Sequence, residues 1–178
     1  MTQPLRVLIV EDSEDDTLLI VRELRKGGLT PEHRRVDSPD ALQAALDEIA
    51  WDIVITDHNL PEFGSEAAIQ QVKQTGRDLP IIIVSGSIGE EVAVAAMKSG
   101  AHDYIMKGNL SRLVPAVERE LREAQNRCEH REAQKTIQHL AYHDALTGLC
   151  NRAEFETRLA RALKNASADS THALFYLD

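Results

Sequence analysis

The sequence has few cysteines, no long apolar run and a deficit of positive charge, and each feature excludes a class of protein. Cys128 and Cys150 are its only cysteines, so we expect no disulfide framework and a reducing compartment. No apolar stretch approaches the ~20 residues that span a bilayer, and residues 1–4 do not resemble a signal peptide. Lys and Arg number 20 against 29 Asp and Glu, a net charge of −9, whereas binding of nucleic-acid phosphates needs a basic face. We therefore expect a cytoplasmic protein that binds neither nucleic acid nor a membrane.

Strand-like and helix-like segments alternate from Leu5 to about Met106, which predicts a doubly wound parallel sheet. The strand-like runs cover residues 5–10, 52–57, 80–84 and 102–106, with a more polar edge strand at 32–36. Ser13 and Asp16 have capping-box spacing, and Ser38 followed by Pro39 is typical of a helix start. Further helices are predicted near residues 65–74 and 90–98 and from residue 111 onward. The pattern thus predicts five strands and five helices.

Polar residues follow four of these strands at the point where each strand ends. They are Glu11 and Asp12 after the first strand, Asp57 at the third, Ser85 at the fourth and Lys107 after the fifth. Because ligand sites of parallel α/β sheets lie at the carboxyl ends of strands, we expect these side chains to converge. Carboxylates suit Mg²⁺, to which the backbone carbonyl of Asn59 adds another oxygen. Lys107 and Ser85 would then contact a phosphoryl group that Asp57 attacks.

These strand-end residues and their neighbours resemble the receiver domain of two-component response regulators over about residues 4–122. The shared motifs are Glu11-Asp12, Asp57-x-x-Leu60-Pro61, Ser85-Gly86 and Tyr104-x-x-Lys107. The resemblance implies a flavodoxin-like sheet of strand order 2-1-3-4-5. It also implies that Asp57 accepts phosphate from a histidine kinase or phosphotransfer protein, with Mg²⁺ held by Glu11, Asp12 and Asp57. Ser85 and Tyr104 match the switch pair of that family.

Two positions depart from the family pattern. Gly108 follows Lys107 where the family usually has a proline in a cis peptide, so we expect the lysine to be held less rigidly. Gly64 lies one residue earlier than the glycine expected in the loop after the phosphoacceptor. Neither departure removes a reacting group.

The last predicted helix, residues 111–142, contains no glycine and has two apolar patterns. Its first apolar seam is formed by Val117, Leu121, Ala124 and Cys128 at 4, 3, 4 spacing, and Arg131 and Lys135 interrupt it. The second pattern is formed by Ala133, Ile137 and Leu140 in a shifted frame. The helix is either a solvated extension of one domain or a coiled-coil linker that pairs two chains. We favour pairing, which makes the protein a homodimer through the 111–142 helix.

The segment after this helix resembles the start of a GGDEF-type diguanylate cyclase domain. Residues 144–152 match the Asp-x-Leu-Thr-Gly-Leu-x-Asn-Arg opening of that family, with Cys150 where proline is common. The resemblance implies that Asp178 is the first metal-binding carboxylate of that domain. The GGDEF signature itself is absent, so this chain is not a competent cyclase. The parent protein is expected either to be a diguanylate cyclase or to carry a degenerate copy of this domain before a phosphodiesterase domain.

The resulting prediction is a receiver domain at residues 1–122, a helical linker at 123–142 and an incomplete GGDEF-type start at 143–178. Its function would be to relay phosphorylation of Asp57 through the linker to a cyclic-di-GMP output domain. Two other functions remain open: a stand-alone receiver that docks partners when phosphorylated, and a metal-dependent hydrolase that uses the same acidic cluster. His139 and His143 have a spacing that can bind zinc, but no third ligand is evident, and His58 has no required role.

Overall fold

The structure is a computed structural model that describes residues 4–60, 63–86 and 90–165, with backbone alone at residues 90–92. The chain divides into two compact units, residues 1–127 and residues 128–178. Helix α5 (Leu113–Tyr142) contributes residues to both of them.

The first unit alternates strands and helices around one parallel sheet. Its elements are β1 (Leu5–Val10), α1 (Glu14–Lys26), β2 (Pro31–Val36), α2 (Pro39–Glu48), β3 (Ile53–Asp57), α3 (Ser65–Gln74), β4 (Ile81–Ser85), α4 (Glu90–Ser99), β5 (Asp103–Met106) and the first part of α5. The strand order is β2-β1-β3-β4-β5, and every paired strand is parallel to its neighbour. The predicted doubly wound, flavodoxin-like fold with five strands and five helices is therefore confirmed for this unit.

Both faces of the sheet are covered, which explains the continuous apolar runs in its central strands. All five residues of β3 and all five of β4 are buried. One core layer joins the sheet to α2, α3 and α4, and the other joins it to α1 and the start of α5. A strand that is buried on both faces has no need for polar alternation. The edge strand β2, in contrast, buries only Pro31 and Val36.

Side-chain caps begin the first two helices directly after strands. Ser13 Oγ accepts the Asp16 N–H at 3.2 Å, and Ser38 Oγ accepts the Ala41 N–H at 3.4 Å. The other hydrogen bond of the predicted capping box, from the Ser13 N–H to the side chain of Asp16, is wrong. The Ser13 N–H donates to Glu11 Oε1 at 3.1 Å instead. Glu11 thus takes the acceptor role of the capping box, and the carboxylate of Asp16 has another partner.

Helix α5 follows a 3-10 turn (Lys107–Arg112), and its first half packs on the sheet. Val117 is fully buried, and Leu121 packs against the same core layer. The predicted pairing seam is therefore wrong at Val117, because full burial of an apolar side chain of this size in its own core contributes ~1.5–3 kcal/mol to folding. Leu121 is only partly buried by this packing. Arg127, at the end of the unit, is paired with Asp78 through both carboxylate oxygens at 3.0 to 3.1 Å.

The second unit contains the rest of α5, a loop and α6 (Arg152–Asn165) among its described residues. Asp144 Oδ1 accepts N–H groups of Leu146 and Thr147 and the Thr147 hydroxyl, which closes the loop. Asn151 caps α6, since its Oδ1 accepts the Glu154 N–H at 3.0 Å. Cys128 and Cys150 are free, as expected. Across the described part of the chain, no helix is both long and apolar enough to cross a bilayer.

Candidate functional site

Three carboxylates meet at the carboxyl edge of the sheet, as the sequence predicted. Strands β1 and β3 are neighbours with Val10 opposite Thr56, so Glu11, which follows β1, is adjacent to Asp57, which ends β3. Glu11, Asp12 and Asp57 each place a carboxylate oxygen within 4.8 Å of the others. Glu11 and Asp57 are buried, whereas Asp12 is exposed. The cluster is thus open to solvent on one side only.

Asp57 is held by hydrogen bonds to both of its oxygens. Oδ1 accepts the backbone N–H of His58 at 2.6 Å, and Oδ2 accepts a hydrogen bond from Lys107 Nζ at 3.1 Å. The side chain of His58 points to α3, where its Nδ1 lies 3.1 Å from Ser65 Oγ. The carboxylate of Asp57 is therefore oriented by the backbone N–H of the next residue and by a cation, and only 7% of Asp57 is exposed.

Lys107 places a positive charge among the carboxylates of this site. Its Nζ donates to Glu11 Oε2 at 2.9 Å, to Asp57 Oδ2 and to Asp16 Oδ2. Burial alone would lower the pKa of the Lys107 ammonium, but the hydrogen bonds to the three carboxylates reverse this and raise the pKa above its ordinary value. Lys107 is therefore a permanent cation, and it offsets part of the repulsion among the acidic side chains.

Glu11 has the most buried carboxylate of the cluster. Burial raises the pKa of Glu11 above its ordinary value, although the hydrogen bonds from Lys107 and from the Ser13 N–H act in the opposite direction. Both oxygens of Glu11 have donors, because Oε1 accepts from Ser13 and Oε2 from Lys107. This residue therefore has a fixed orientation toward Asp57.

Two residues that the sequence analysis did not identify also shape the site. Asp16, in the first turn of α1, is a third partner of Lys107. Arg35, on β2, donates from Nη1 to the carbonyl oxygens of Glu11 at 3.0 Å and Asp12 at 3.3 Å. Arg35 thus fixes the loop that presents Asp12. The sequence feature that could have indicated this role is a basic residue near the end of the edge strand, beside the acidic loop.

The remaining predicted site residues lie on the same edge of the sheet or beyond the described residues. Ser85 ends β4 and is fully buried, and Tyr104 on β5 is half-buried against the core layer of α2, α3 and α4. Asn59 is exposed in the loop after Asp57. Pro61 of the Leu60-Pro61 motif and Asp178, the predicted metal ligand of the second unit, lie outside the described residues.

His139, in the last turn of α5, and His143, directly after that helix, gain no third ligand among the described residues. The rings of His139 and His143 are stacked with their centroids 4.4 Å apart, and His143 Nδ1 lies 3.2 Å from the carbonyl oxygen of His139. Among the described residues, the only group of three or more potential metal-binding side chains is Glu11, Asp12 and Asp57. Ring stacking and this backbone contact at the end of α5 are the roles that the structure shows for the pair.

The acidic cluster fits a hard divalent cation. Mg²⁺ prefers oxygen ligands and commonly binds one or two protein carboxylates together with waters and a phosphate. Glu11, Asp12 and Asp57 supply carboxylates only, with no sulfur or imidazole nitrogen in the group. The exposed side of Asp12 leaves room for water and for a phosphate. The donor set is thus suited to Mg²⁺ more than to a transition metal.

Comparison with known proteins identifies the family of the first unit. Residues 7–118 match the family described as "Response regulator receiver domain". The transcriptional regulatory protein PrrA of Mycobacterium tuberculosis is 30% identical over 107 residues, which are 60% of this chain and 45% of PrrA. A chemotaxis protein CheY homolog of Campylobacter jejuni is 30% identical over 58% of this chain and 81% of that protein. The chain therefore spans less than half of PrrA but most of the CheY homolog.

A solved structure agrees with this assignment. The receiver domain of NtrX from Brucella abortus is 30% identical, with a TM-score of 0.59 over 65% of this chain and 98% of that chain. The family match ends at residue 118 and does not include the second unit. Because it covers well over half of the sequence, the protein belongs to the response regulator receiver family of two-component systems.

Proposed function

We propose that Asp57 of this response regulator accepts a phosphoryl group from a histidine kinase or a phosphotransfer protein. Receiver domains are phosphorylated by such partners, and they bind Mg²⁺ at an acidic pocket. The position of Lys107 is the observation that supports this role most strongly. Its Nζ lies 3.1 Å from Asp57 Oδ2 and 2.9 Å from Glu11 Oε2, beside the cluster of oxygen ligands. Transfer of a phosphoryl anion requires positive charge of this kind, held in place before the reaction.

In the proposed reaction, a carboxylate oxygen of Asp57 attacks the phosphorus atom of a phosphohistidine. The new P–O bond forms as the P–N bond breaks, and the donor imidazole nitrogen keeps the electron pair of that bond. Mg²⁺, held by Glu11, Asp12, Asp57 and the backbone carbonyl of Asn59, would supply charge that offsets the phosphoryl oxygens. Lys107 orients the Asp57 carboxylate and adds a second positive charge at the same place.

Ser85 and Tyr104 are the proposed switch pair. Asp57 lies opposite Val84 in the pairing of β3 with β4, so the next residue, Ser85, is close to a phosphoryl group on Asp57. A shift from 1:99 to 99:1 between two conformations needs ~5.5 kcal/mol, and a hydrogen bond to a charged group contributes about 1.5–3 kcal/mol. Bonds from Ser85 and Lys107 together supply most of this difference. Tyr104, which is half-buried, would then turn further into the core layer.

The C-terminal part of α5 is the proposed contact between two chains. Val117 is fully buried in its own core and Leu121 is partly buried there, so the proposed contact does not rest on these two residues. Ile137 and Leu140 are 68% and 54% exposed and share the second apolar frame with Ala133. We expect a weak, concentration-dependent homodimer, which light scattering can measure. Ile137→Glu should give a monomer, whereas the control variant Gln138→Glu should not, and a wild-type monomer at high concentration would contradict the proposal.

The proposed output of the parent protein is cyclic-di-GMP signalling through a GGDEF-type domain. The residues behind this resemblance have clear structural roles, which supports the proposal. Asp144 and Thr147 close the loop after α5, Gly148 has a positive φ of 70° and Asn151 caps α6. Leu146 and Leu149 are 94% and 69% exposed, as expected for residues that the remainder of a domain would cover. Asp178 is proposed as a metal ligand of that domain.

A labelling experiment tests the phosphoacceptor. Incubation with acetyl phosphate and Mg²⁺ should add one acid-labile phosphate per chain, and excess chelator should abolish the reaction because the anionic donor is then repelled. Asp57→Asn should remove the label. Asp52→Asn, at the residue that directly precedes β3 and far from its carboxyl end, is the matched control and should label normally. Equal labelling of wild type and Asp57→Asn would contradict the proposed function.

A further inference from the structure

Lys107 has no spare hydrogen-bond donor in this structure. An ammonium group has three N–H donors and no acceptor. Glu11, Asp57 and Asp16 each accept one hydrogen bond from Lys107 Nζ. A phosphoryl group on Asp57 adds three oxygens beside the same ammonium. Lys107 can therefore bind the phosphoryl group only if one of its present partners gives up its hydrogen bond.

The three partners differ in how easily they can leave. Glu11 is 1% exposed, and its other oxygen is held by the Ser13 N–H, so the cost of separating it from Lys107 is high. Asp57 is the residue that receives the phosphoryl group and stays in place. The side chain of Asp16 is 32% exposed on the first turn of α1, so water can replace its contact. Asp16 is also outside the group of potential metal ligands.

We propose that Asp16 is a positioning residue that competes with the phosphoryl group for Lys107 and thereby slows phosphorylation of Asp57. This inference rests on the proposed function of Asp57. Before the reaction, Asp16 holds the ammonium at the edge of the site. During the reaction, the hydrogen bond to Asp16 breaks and one to a phosphoryl oxygen forms. Asp16 forms no covalent bond and takes no proton.

The test uses acetyl phosphate, in which the P–O bond to acetate breaks as the bond to Asp57 forms, and acetate leaves with the electron pair. Asp16→Asn removes the competing charge and should raise the rate of phosphorylation about fivefold, since a partly exposed ion pair is worth up to ~1 kcal/mol. Asp16→Glu keeps a carboxylate and should stay near the wild-type rate. Asp15→Asn is the matched control, because it removes an exposed charge from the same turn without a contact to Lys107.

A measurement of Mg²⁺ affinity by calorimetry separates this role from a structural one. A substitution that only loosens the site should weaken Mg²⁺ binding and slow phosphorylation together. For Asp16→Asn we expect faster phosphorylation with Mg²⁺ affinity unchanged or lower. An unchanged or slower rate in Asp16→Asn, or an equal rise in Asp15→Asn, would overturn the proposal while wild type is still labelled on Asp57. Absence of any label on wild type would instead contradict the proposed function.

Discussion

Replacement of Lys107 by Met should destabilise the protein, although it removes a side chain near the surface. Lys107→Met keeps the approximate length of the side chain and removes its charge. Glu11 and Asp57, which are 1% and 7% exposed, would then face each other without the cation that links them. Removing one partner of a buried ion pair leaves an uncompensated buried charge.

The expected size of this effect follows from burial. Removing one partner of a fully buried pair costs about 3–5 kcal/mol. The side chain of Lys107 is 21% exposed, so solvent screens part of its interaction, and we expect a loss of ~2–3 kcal/mol in the free energy of unfolding at pH 7. Protonation of Glu11 limits the loss, because a neutral carboxyl group does not repel Asp57.

The same reasoning predicts how the loss depends on pH. Burial raises the pKa of Glu11 above the ordinary value of 4.5, and removal of Lys107 raises it further. The folded variant then binds a proton more readily than the unfolded chain, so its stability increases as the pH falls toward 4.5 and is lost as the pH rises through the folded pKa. The deficit of Lys107→Met relative to wild type should therefore be smaller at pH 5.5 than at pH 7.5.

Urea denaturation without Mg²⁺ at both pH values measures this prediction. Lys98→Met, an exposed position on α4, is the control and should change stability by less than about 0.5 kcal/mol. Added Mg²⁺ should stabilise Lys107→Met more than wild type, because a second cation can replace the lost charge. A Lys107→Met protein as stable as wild type at pH 7.5 would refute the view that Lys107 balances the acidic cluster.

Two further substitutions test other parts of the account. Ser85→Ala should still accept phosphate, but hydrogen exchange near Tyr104 should then respond less to phosphorylation than in wild type; an equal response would place the switch elsewhere. His102 Nδ1 accepts the Ile81 N–H at 3.0 Å, and burial lowers the pKa of His102 below 6.5. Below about pH 6.5 the unfolded chain therefore binds a proton more readily than the folded protein, and the stability of the wild type falls. In His102→Gln the urea midpoint should depend less on pH between pH 7 and pH 5.5. A pH dependence equal to that of the wild type would contradict this.

The sheet and the main site residues could be predicted because local sequence determines both. β3 and β4 are continuous apolar runs, and parallel pairing brings their carboxyl ends together without further information. Asp57, Ser85 and Lys107 could therefore be placed on one edge from their positions alone. The start of each helix was also predictable where a serine cap preceded it, as at Ser13 and Ser38.

Contacts that depend on the third dimension could not be predicted from the sequence. Asp16 has the spacing of a capping-box partner, and only the approach of Glu11 to the Ser13 N–H leaves Asp16 to bind Lys107. The seam that begins at Val117 has heptad spacing, but the same spacing serves a helix that packs on its own sheet. Periodicity indicates that a face is buried and does not indicate which partner buries it.

Mapping of the phosphoryl group tests the central claim most directly. After reaction with acetyl phosphate and Mg²⁺, borohydride reduction of the acyl phosphate followed by mass spectrometry of the peptides identifies the modified residue. We expect one modified residue per chain, at Asp57, and none in the presence of chelator. A modification at Asp12, Asp16 or another residue, with Asp57 unmodified, would contradict the account.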